Sequence, residues 1–152
     1  MKRFKLRIPV PAGKLETVID DPEADRRGLL LVAHPHPLHG GSLDNKVVTT
    51  LARAANEAGW VSVRPNFRGV GMSDGEFDAG VGETDDLLAV ARFVEASYPG
   101  LPWALAGVAE ATRLAPKPRA SAISAPARIF FMNCPPGRGP KPPWLLPLKV
   151  RV

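Results

Sequence analysis

Acidic side chains are missing from the last part of this chain. The final one is Glu110, whereas residues 111–152 hold eight of the 20 Lys and Arg residues and nine of the 17 prolines. The net charge of +5 therefore arises in this segment, and residues 1–110 are slightly acidic on their own. We accordingly divide the chain into a core over 1–110 and a basic, proline-rich tail over 111–152.

Three other absences exclude whole classes of protein. A single cysteine, Cys134, excludes an internal disulfide framework and favours a cytoplasmic location. No apolar run approaches the roughly 20 residues of a membrane-spanning helix, and the basic N-terminus alternates with apolar residues, unlike a signal peptide. The tail has only three aromatic residues, so we interpret its charge as a solvated segment and expect neither a membrane nor a nucleic-acid partner.

What remains is a composition typical of a globular domain, with 45% hydrophobic residues. Alternating or continuous apolar runs predict strands, and apolar residues at helical spacing predict helices. The predicted order is a hairpin of two strands, then strand, helix, strand, helix and strand, at Lys2–Val10, 15–19, Gly28–Ala33, 44–58, Trp60–Pro65, 84–96 and 102–107. Thr84 is the expected cap of the second helix. Beyond these elements we expect at most a short helix over 108–115 and a strand over Arg128–Asn133, with 135–147 irregular.

This order predicts an α/β fold, a three-layer sandwich with a mostly parallel sheet that begins with an antiparallel hairpin. Ligands of such sheets bind beyond the C-terminal ends of the strands. We therefore expect chemistry in the loops that begin at His34, Asn66 and Val108.

Two of these loops carry motifs. The first is HPHPLHGGS over 34–42, and the second contains RGVGMS over 68–73. Together with the element order over about residues 1–107, they resemble the α/β-hydrolase superfamily, and most closely its small bacterial esterases and dienelactone-hydrolase-like members. That family has a histidine- and glycine-containing loop after its third strand and an RGxGxS segment after its fourth. The resemblance implies a truncated α/β-hydrolase fold and a small-molecule ester or other acyl compound as substrate.

The resemblance also implies a role for the first loop. A backbone N–H in this loop would stabilise the oxyanion that forms during acyl transfer. The backbone of His36 is the first candidate, and His39, Gly40 and Gly41 are the second. In the second loop, the family uses the residues at Arg68 and Ser73 to brace the turn rather than to react.

Other interpretations of the two loops remain open. The first loop is alternatively a rigid connection in which Ser42 or Asp44 caps the following helix. Its three histidines also raise a zinc site, but Pro35 and Pro37 restrict how the rings can converge, and we expect neither a metal nor a cofactor. The glycines of the second loop do not open directly into a helix, so a phosphate-binding motif is disfavoured.

The third loop lacks the family's nucleophile. The G-x-S-x-G elbow is replaced by GVAEA over 107–111, so that Ala109 occupies the serine position. No Asp, Glu or His follows Glu110 in this chain, although a triad needs an acid and then a histidine downstream. Other nucleophilic side chains either have simpler roles or follow no suitable turn: Ser42, Ser73, Ser121, Ser124 and Cys134.

Two principal hypotheses follow. In the first, the chain derives from an acyl hydrolase whose C-terminal part is replaced, shortened or read in another frame, so that the catalytic triad is incomplete and activity is absent. This hypothesis also explains a chain shorter than the fold normally needs. In the second, the chain is a non-catalytic α/β-hydrolase-like binding or interaction module. A third, minor hypothesis is a metal hydrolase that uses the histidine loop. The sequence indicates no oligomeric state.

Overall fold

A computed structural model of the protein describes residues 1–109 and 128–133. Its elements are numbered in chain order: β1 (Lys2–Val10), β2 (Gly13–Asp21), β3 (Gly28–Ala33), α1 (Lys46–Glu57), β4 (Trp60–Pro65), α2 (Val81–Ser97), β5 (Trp103–Ala109) and β6 (Arg128–Asn133). A short 3-10 helix, Pro37–His39, lies between β3 and α1. The bounds of β1, β3, β4 and β6 are those that the sequence predicts.

The six strands form one sheet in the order β1-β2-β4-β3-β5-β6. The β1–β2 hairpin is antiparallel, and β2 also pairs antiparallel with β4. From β4 onward every pairing is parallel, with β3 between β4 and β5. Parallel neighbours need crossover connections, and α1 and α2 supply two of them. The predicted α/β class and the mostly parallel sheet are confirmed.

The core lies on both faces of the sheet. On one face, Leu29 and Leu31 of β3 belong to the same buried cluster as Val90 and Val94 of α2. On the other face, Val32 of β3 is buried together with Val48 of α1 and Ala106 of β5. Side chains alternate between the faces of a strand, so the continuous apolar run of β3 serves both clusters. The two helices therefore cover opposite faces, as the three-layer prediction requires.

The start of α1 corrects one sequence expectation. The helix begins at Lys46, and the Asn45 side chain accepts a hydrogen bond from the Val47 N–H at 2.9 Å. Asn45, and not Ser42 or Asp44, is therefore the cap. The Ser42 hydroxyl accepts instead from the Asp44 N–H within the preceding loop, at 3.3 Å.

The start of α2 corrects a second expectation. The helix begins at Val81, three residues before the predicted start, and Thr84 is not its cap. The Thr84 hydroxyl donates to the Gly80 carbonyl at 2.6 Å, as a residue inside the first turn does. The Glu83 carboxylate accepts from the N–H groups of Asp78 and Gly80 at 2.7 and 2.8 Å. Helix propensity alone does not predict this start. The N–H groups at the N-terminal end of the helix are satisfied by Glu83, a side chain three residues inside the helix, and not by a capping residue before it.

The end of β5 corrects a third expectation. Val108 and Ala109 extend the strand and pair in parallel with Met132 and Asn133 of β6. The predicted helix over 108–115 is therefore wrong at its first two residues, and the third loop does not begin at Val108. The remainder of that helix, the irregular stretch 135–147 and the rest of the tail lie outside the described residues.

Candidate functional site

The C-terminal ends of β3, β4 and β5 meet at one edge of the sheet, because these strands run parallel. The loop after β3 begins at His34, and the loop after β4 begins at Asn66. Ligands of open α/β sheets bind at this edge. The two loops with the hydrolase-like motifs therefore lie where the sequence places chemistry.

The first loop is closed by hydrogen bonds to its own backbone. The His36 carbonyl accepts from the N–H groups of His39 and Gly41 at 3.0 and 3.2 Å, and the Pro37 carbonyl accepts from Gly40 at 3.3 Å. Three of the four oxyanion candidates thus have an engaged N–H. Within the described residues, the backbone N–H of His36 has no hydrogen-bond acceptor, unlike those of the other three candidates.

Gly41 makes this closure possible. Its Cα lies so close to the Pro35 carbonyl that a β-carbon built at position 41 would overlap that oxygen. Gly40 has the left-handed φ of 77° at the end of the 3-10 helix. The two glycines of the motif are therefore required by the shape of the loop, one for close approach and one for its backbone conformation.

His34 connects the first loop to the second. The side chain is 3% exposed; its Nδ1 lies 2.7 Å from the Pro35 carbonyl, and its Nε2 accepts from the Phe67 N–H at 3.0 Å. Because Nε2 accepts, the proton of the neutral ring is on Nδ1. Burial lowers the pKa of His34, while the hydrogen bond to Pro35 opposes that shift. His34 is thus a neutral brace, a role that the sequence analysis missed although the residue directly follows a buried strand.

Asn66 is a second connection that the sequence analysis missed. Its Oδ1 accepts from the Leu43 N–H at 2.7 Å, and its Nδ2 donates to the Glu16 carboxylate at 2.8 Å. The same Glu16 oxygen accepts from the Met72 N–H at 2.9 Å. Asn66 therefore joins both loops to strand β2. Only its position at the end of β4 signals this role in the sequence.

Ser73 lies on the inner side of the second loop. Its hydroxyl donates to the Asn66 carbonyl at 2.9 Å and accepts from the Glu16 N–H at 2.9 Å. Both hydrogen-bonding functions of the side chain are therefore engaged by backbone groups. Because the hydroxyl proton is donated to a backbone carbonyl and not to a side-chain base, Ser73 is not activated as a nucleophile.

Arg68 joins the second loop to helix α2. Its Nε and Nη2 donate to the two carboxylate oxygens of Asp86 at 2.7 and 3.0 Å, and Asp86 is fully buried. The hydrogen bond to Asp86 raises the pKa of Arg68. Asp86 also accepts from the Ala12 N–H in the hairpin turn at 3.2 Å. One buried ion pair therefore links the loop, the helix and the hairpin.

The histidine loop shows no metal-binding geometry. Both ring nitrogens of His34 are engaged, and the His36 Nδ1 accepts from the Leu38 N–H at 3.2 Å. The His36 ring stacks on that of His39 at 4.8 Å and lies 5.0 Å from that of Phe77. Over residues 1–109 and 128–133, no three His, Cys, Asp or Glu side chains are grouped as metal ligands.

In the same residues, no helix is long and apolar enough to cross a membrane.

The backbone at the expected nucleophile position reaches this edge. Gly107 pairs with Ala33, the last residue of β3, and Ala109 continues β5 by two residues beyond that level. Position 109 is thus at the C-terminal end of a parallel strand next to the histidine loop. The other nucleophilic side chains of the tail, Ser121, Ser124 and Cys134, lie outside the described residues.

Comparisons with solved structures agree with this geometry. The chain is similar to an α/β serine hydrolase homologue from Coxiella burnetii, with 48% identity, a TM-score of 0.67, and coverage of 71% of this chain and 52% of the other. An α/β serine hydrolase without a lid from Xanthomonas campestris gives 45% identity, a TM-score of 0.66, and coverage of 71% and 51%. A putative α/β hydrolase from Agrobacterium tumefaciens gives 31% identity, a TM-score of 0.66, and coverage of 69% and 49%.

Sequence comparison adds an uncharacterized protein of Rickettsia prowazekii, 38% identical over 89 residues, which are 59% of this chain and 37% of the other. No protein-family model matches the chain. The chain spans about half the length of the structures that it matches. Over the roughly 70% that aligns with them, the chain belongs to the α/β-hydrolase superfamily.

Proposed function

We propose that this chain carries part of an acyl (ester) hydrolase scaffold of the small bacterial esterase type and does not itself catalyse hydrolysis. The observation that supports the proposal is Ala109 at the C-terminal end of β5, where the fold presents its nucleophile. An alanine side chain has no atom that can attack a carbonyl. The downstream segment 111–152 also has no Asp, Glu or His to complete a triad.

The surrounding groups have the roles that such a scaffold requires. The N–H of His36, which has no acceptor within the described residues, is the proposed oxyanion donor of the loop after β3. His34, Asn66 and Ser73 hold this loop against the second one, and Arg68 holds the second loop on α2. Preorganised donors of this kind stabilise a transition state only when an attacking group is present.

An esterase assay tests the proposal. The full chain is incubated with p-nitrophenyl butyrate and, separately, with a fluorophosphonate that labels activated serines. We expect no turnover above buffer and no labelling. We expect the same of the Ala109→Ser variant, because a serine without a base and an acid is not activated. Turnover that disappears when Ser121, Ser124 or Cys134 is replaced by Ala would overturn the proposal and identify another nucleophile.

The origin of the tail is tested at the level of its gene. We propose that residues after about Gly107 result from a replacement, a shortening or a change of reading frame. Translation of the other two frames from this point distinguishes these cases. A frame that encodes G-x-S-x-G followed by an acid and a histidine identifies a frame change; frames without these motifs favour an old divergence.

A non-catalytic binding module is the second candidate, and three exposed apolar side chains in the segments that follow β3 and β4 favour it. Leu38 in the first loop, Met72 in the second and Val81 at the start of α2 are 68%, 65% and 70% exposed. Large apolar side chains exposed at a ligand-binding edge are typical of an interaction site. We propose a small acyl compound as the ligand of this module. We propose neither a nucleic acid nor a membrane as its partner, and we propose a cytoplasmic location.

A melting experiment separates the two candidates. A binding module melts cooperatively, and an acyl ligand raises its Tm by mass action. For a disrupted hydrolase, the acyl ligand leaves the Tm unchanged. Butyrate is the probe, and the Leu38→Ser variant is the control that should lose the ligand-dependent shift while keeping the same Tm without ligand. A cooperative transition with no shift for either protein would exclude the binding of this acyl class.

A further inference from the structure

A cavity of about 360 Å³ lies on the face of the sheet that α1 covers, and the loop after β3 reaches it at Asp44. The rest of its lining comes from Met1, β1, β2, β4 and α1, and it includes Arg3, Asp20, Arg53, Asn56 and Arg64. The cavity is independent of the proposed function, because it shares no residue with the oxyanion loop or with the position of Ala109.

The floor of this cavity holds the buried Asp20 carboxylate beside one buried guanidinium, Arg64, and one half-exposed guanidinium, Arg3. Asp20 is 2% exposed and lies between two guanidinium groups. It accepts from the Nε and Nη2 of Arg3 at 2.5 and 3.0 Å and from the Nη2 of Arg64 at 3.1 Å. One carboxylate thus serves two cations, and the floor keeps an excess of positive charge. The buried Arg64 requires a counter-ion, and it shares Asp20 with Arg3.

Arg64 is the least satisfied of these groups. Its side chain is 4% exposed, and its Nη1 donates to the Leu43 carbonyl at 3.1 Å. Its buried Nε has no hydrogen-bond partner within the described residues. A buried guanidinium N–H without an acceptor is costly, so Arg64 lacks one acceptor in addition to sharing its counter-ion.

The rim of the cavity adds a further cation. Arg53 projects from α1, is exposed, and forms no hydrogen bond or ion pair with any residue in the described part of the chain. Asp44 is the one other carboxylate in the lining, and its charge also acts on Arg3. The N-terminal ammonium group, which reaches the same cavity, is paired with Glu23 at 3.0 Å. Three guanidinium groups therefore face two carboxylates.

We propose that this cavity is a binding site for a small oxyanion, such as a phosphate or carboxylate group. The guanidinium fork matches the geometry of both groups and binds them more strongly than a neutral donor does. Arg53 closes on the anion from the rim, and Arg64 with Arg3 attracts it from the floor. The bound anion supplies the counter-ion that the intramolecular carboxylates leave incomplete.

Isothermal titration of the full chain with inorganic phosphate and, separately, with acetate tests the proposal. We expect saturable binding of at least one anion at one site per chain, and the tighter one identifies the group that is recognised. Arg53→Gln should weaken binding by about tenfold, the loss typical of a hydrogen bond to a charged group. Asp44→Asn should strengthen it, since this change removes a negative charge from the rim.

The matched control is Arg92→Gln, which removes an exposed arginine from α2 on the opposite face of the sheet. This variant should bind as the wild type does. All three substitutions are at exposed positions and should leave the Tm unchanged, so a failure to fold does not confuse the result. Absence of saturable binding of both anions, or an equal loss in Arg53→Gln and Arg92→Gln, would overturn the proposal.

Discussion

Replacement of Arg68 by methionine is expected to lower the free energy of unfolding by about 3–5 kcal/mol, the usual cost of removing one partner of a buried ion pair. Asp86 is fully buried and receives two hydrogen bonds from Arg68, at 2.7 and 3.0 Å. Once the guanidinium is lost, the Ala12 N–H is the one donor to this carboxylate that remains within the described residues. An unpaired charge at a buried site is what makes the cost large.

This cost is a large part of the stability of a small domain, which is about 5–15 kcal/mol. Urea unfolding followed by tryptophan fluorescence measures it, since Trp60 and Trp103 belong to β4 and β5. Arg92→Met is the matched control on the exposed face of α2 and should change the stability by less than about 0.5 kcal/mol. If the Arg68→Met protein is unfolded without urea, Arg68→Lys, which keeps the charge but not the fork, gives a measurable intermediate value.

The double variant Arg68→Met, Asp86→Leu distinguishes the ion pair from simple packing. If the cost comes from the unpaired carboxylate, the double variant is more stable than Arg68→Met alone, because no buried charge remains. A loss below about 1 kcal/mol for Arg68→Met would refute the reasoning. Equally, a double variant whose loss is the sum of the two single losses would show that the pair is not coupled.

Much of the scaffold could be predicted because its signals are local. The continuous apolar run 28–33 reflects a strand that is buried on both faces, and the alternation in Lys2–Val10 reflects a strand that is buried on one face. The structure places both strands at the predicted bounds. The resemblance carried by the two loop motifs is likewise confirmed at the level of the superfamily. The helix starts could not be predicted in this way, because Asn45 and Glu83 satisfy N–H groups through side-chain geometry that several neighbouring residues offer equally well in the sequence.

The braces of the site were harder to predict than its strands. His34 and Asn66 act across gaps of 33 and 23 residues, on Phe67 and Leu43 respectively. Periodicity describes which face a residue occupies, but it carries no information on hydrogen bonds between distant loops. The extension of β5 to Ala109 has the same cause, since it depends on pairing with β6 far along the chain. Contacts between distant residues therefore determine the hydrogen bonds of the loops and the length of β5, which local sequence patterns do not predict.

Two further predictions concern the loop after β3. Gly41→Ala should destabilise the protein by about 1–3 kcal/mol in urea unfolding, because its β-carbon overlaps the Pro35 carbonyl; a loss no greater than that of Gly107→Ala, whose β-carbon meets no neighbour and whose φ is not left-handed, would contradict this. The second prediction is a pH dependence that arises from His34. Burial lowers its pKa in the folded protein from a normal value of 6.5, so below that pH the unfolded chain binds more protons than the folded one. The contribution of His34 is therefore complete above pH 6.5 and declines as the pH falls toward the folded pKa. Protonation of Nε2 also removes the acceptor for the Phe67 N–H. The free energy of unfolding, measured in urea from pH 7.5 to 5, should fall more steeply for the wild type than for His34→Gln, which has no titrating ring at this position. Parallel curves for the two proteins would show that His34 is not held neutral by the fold.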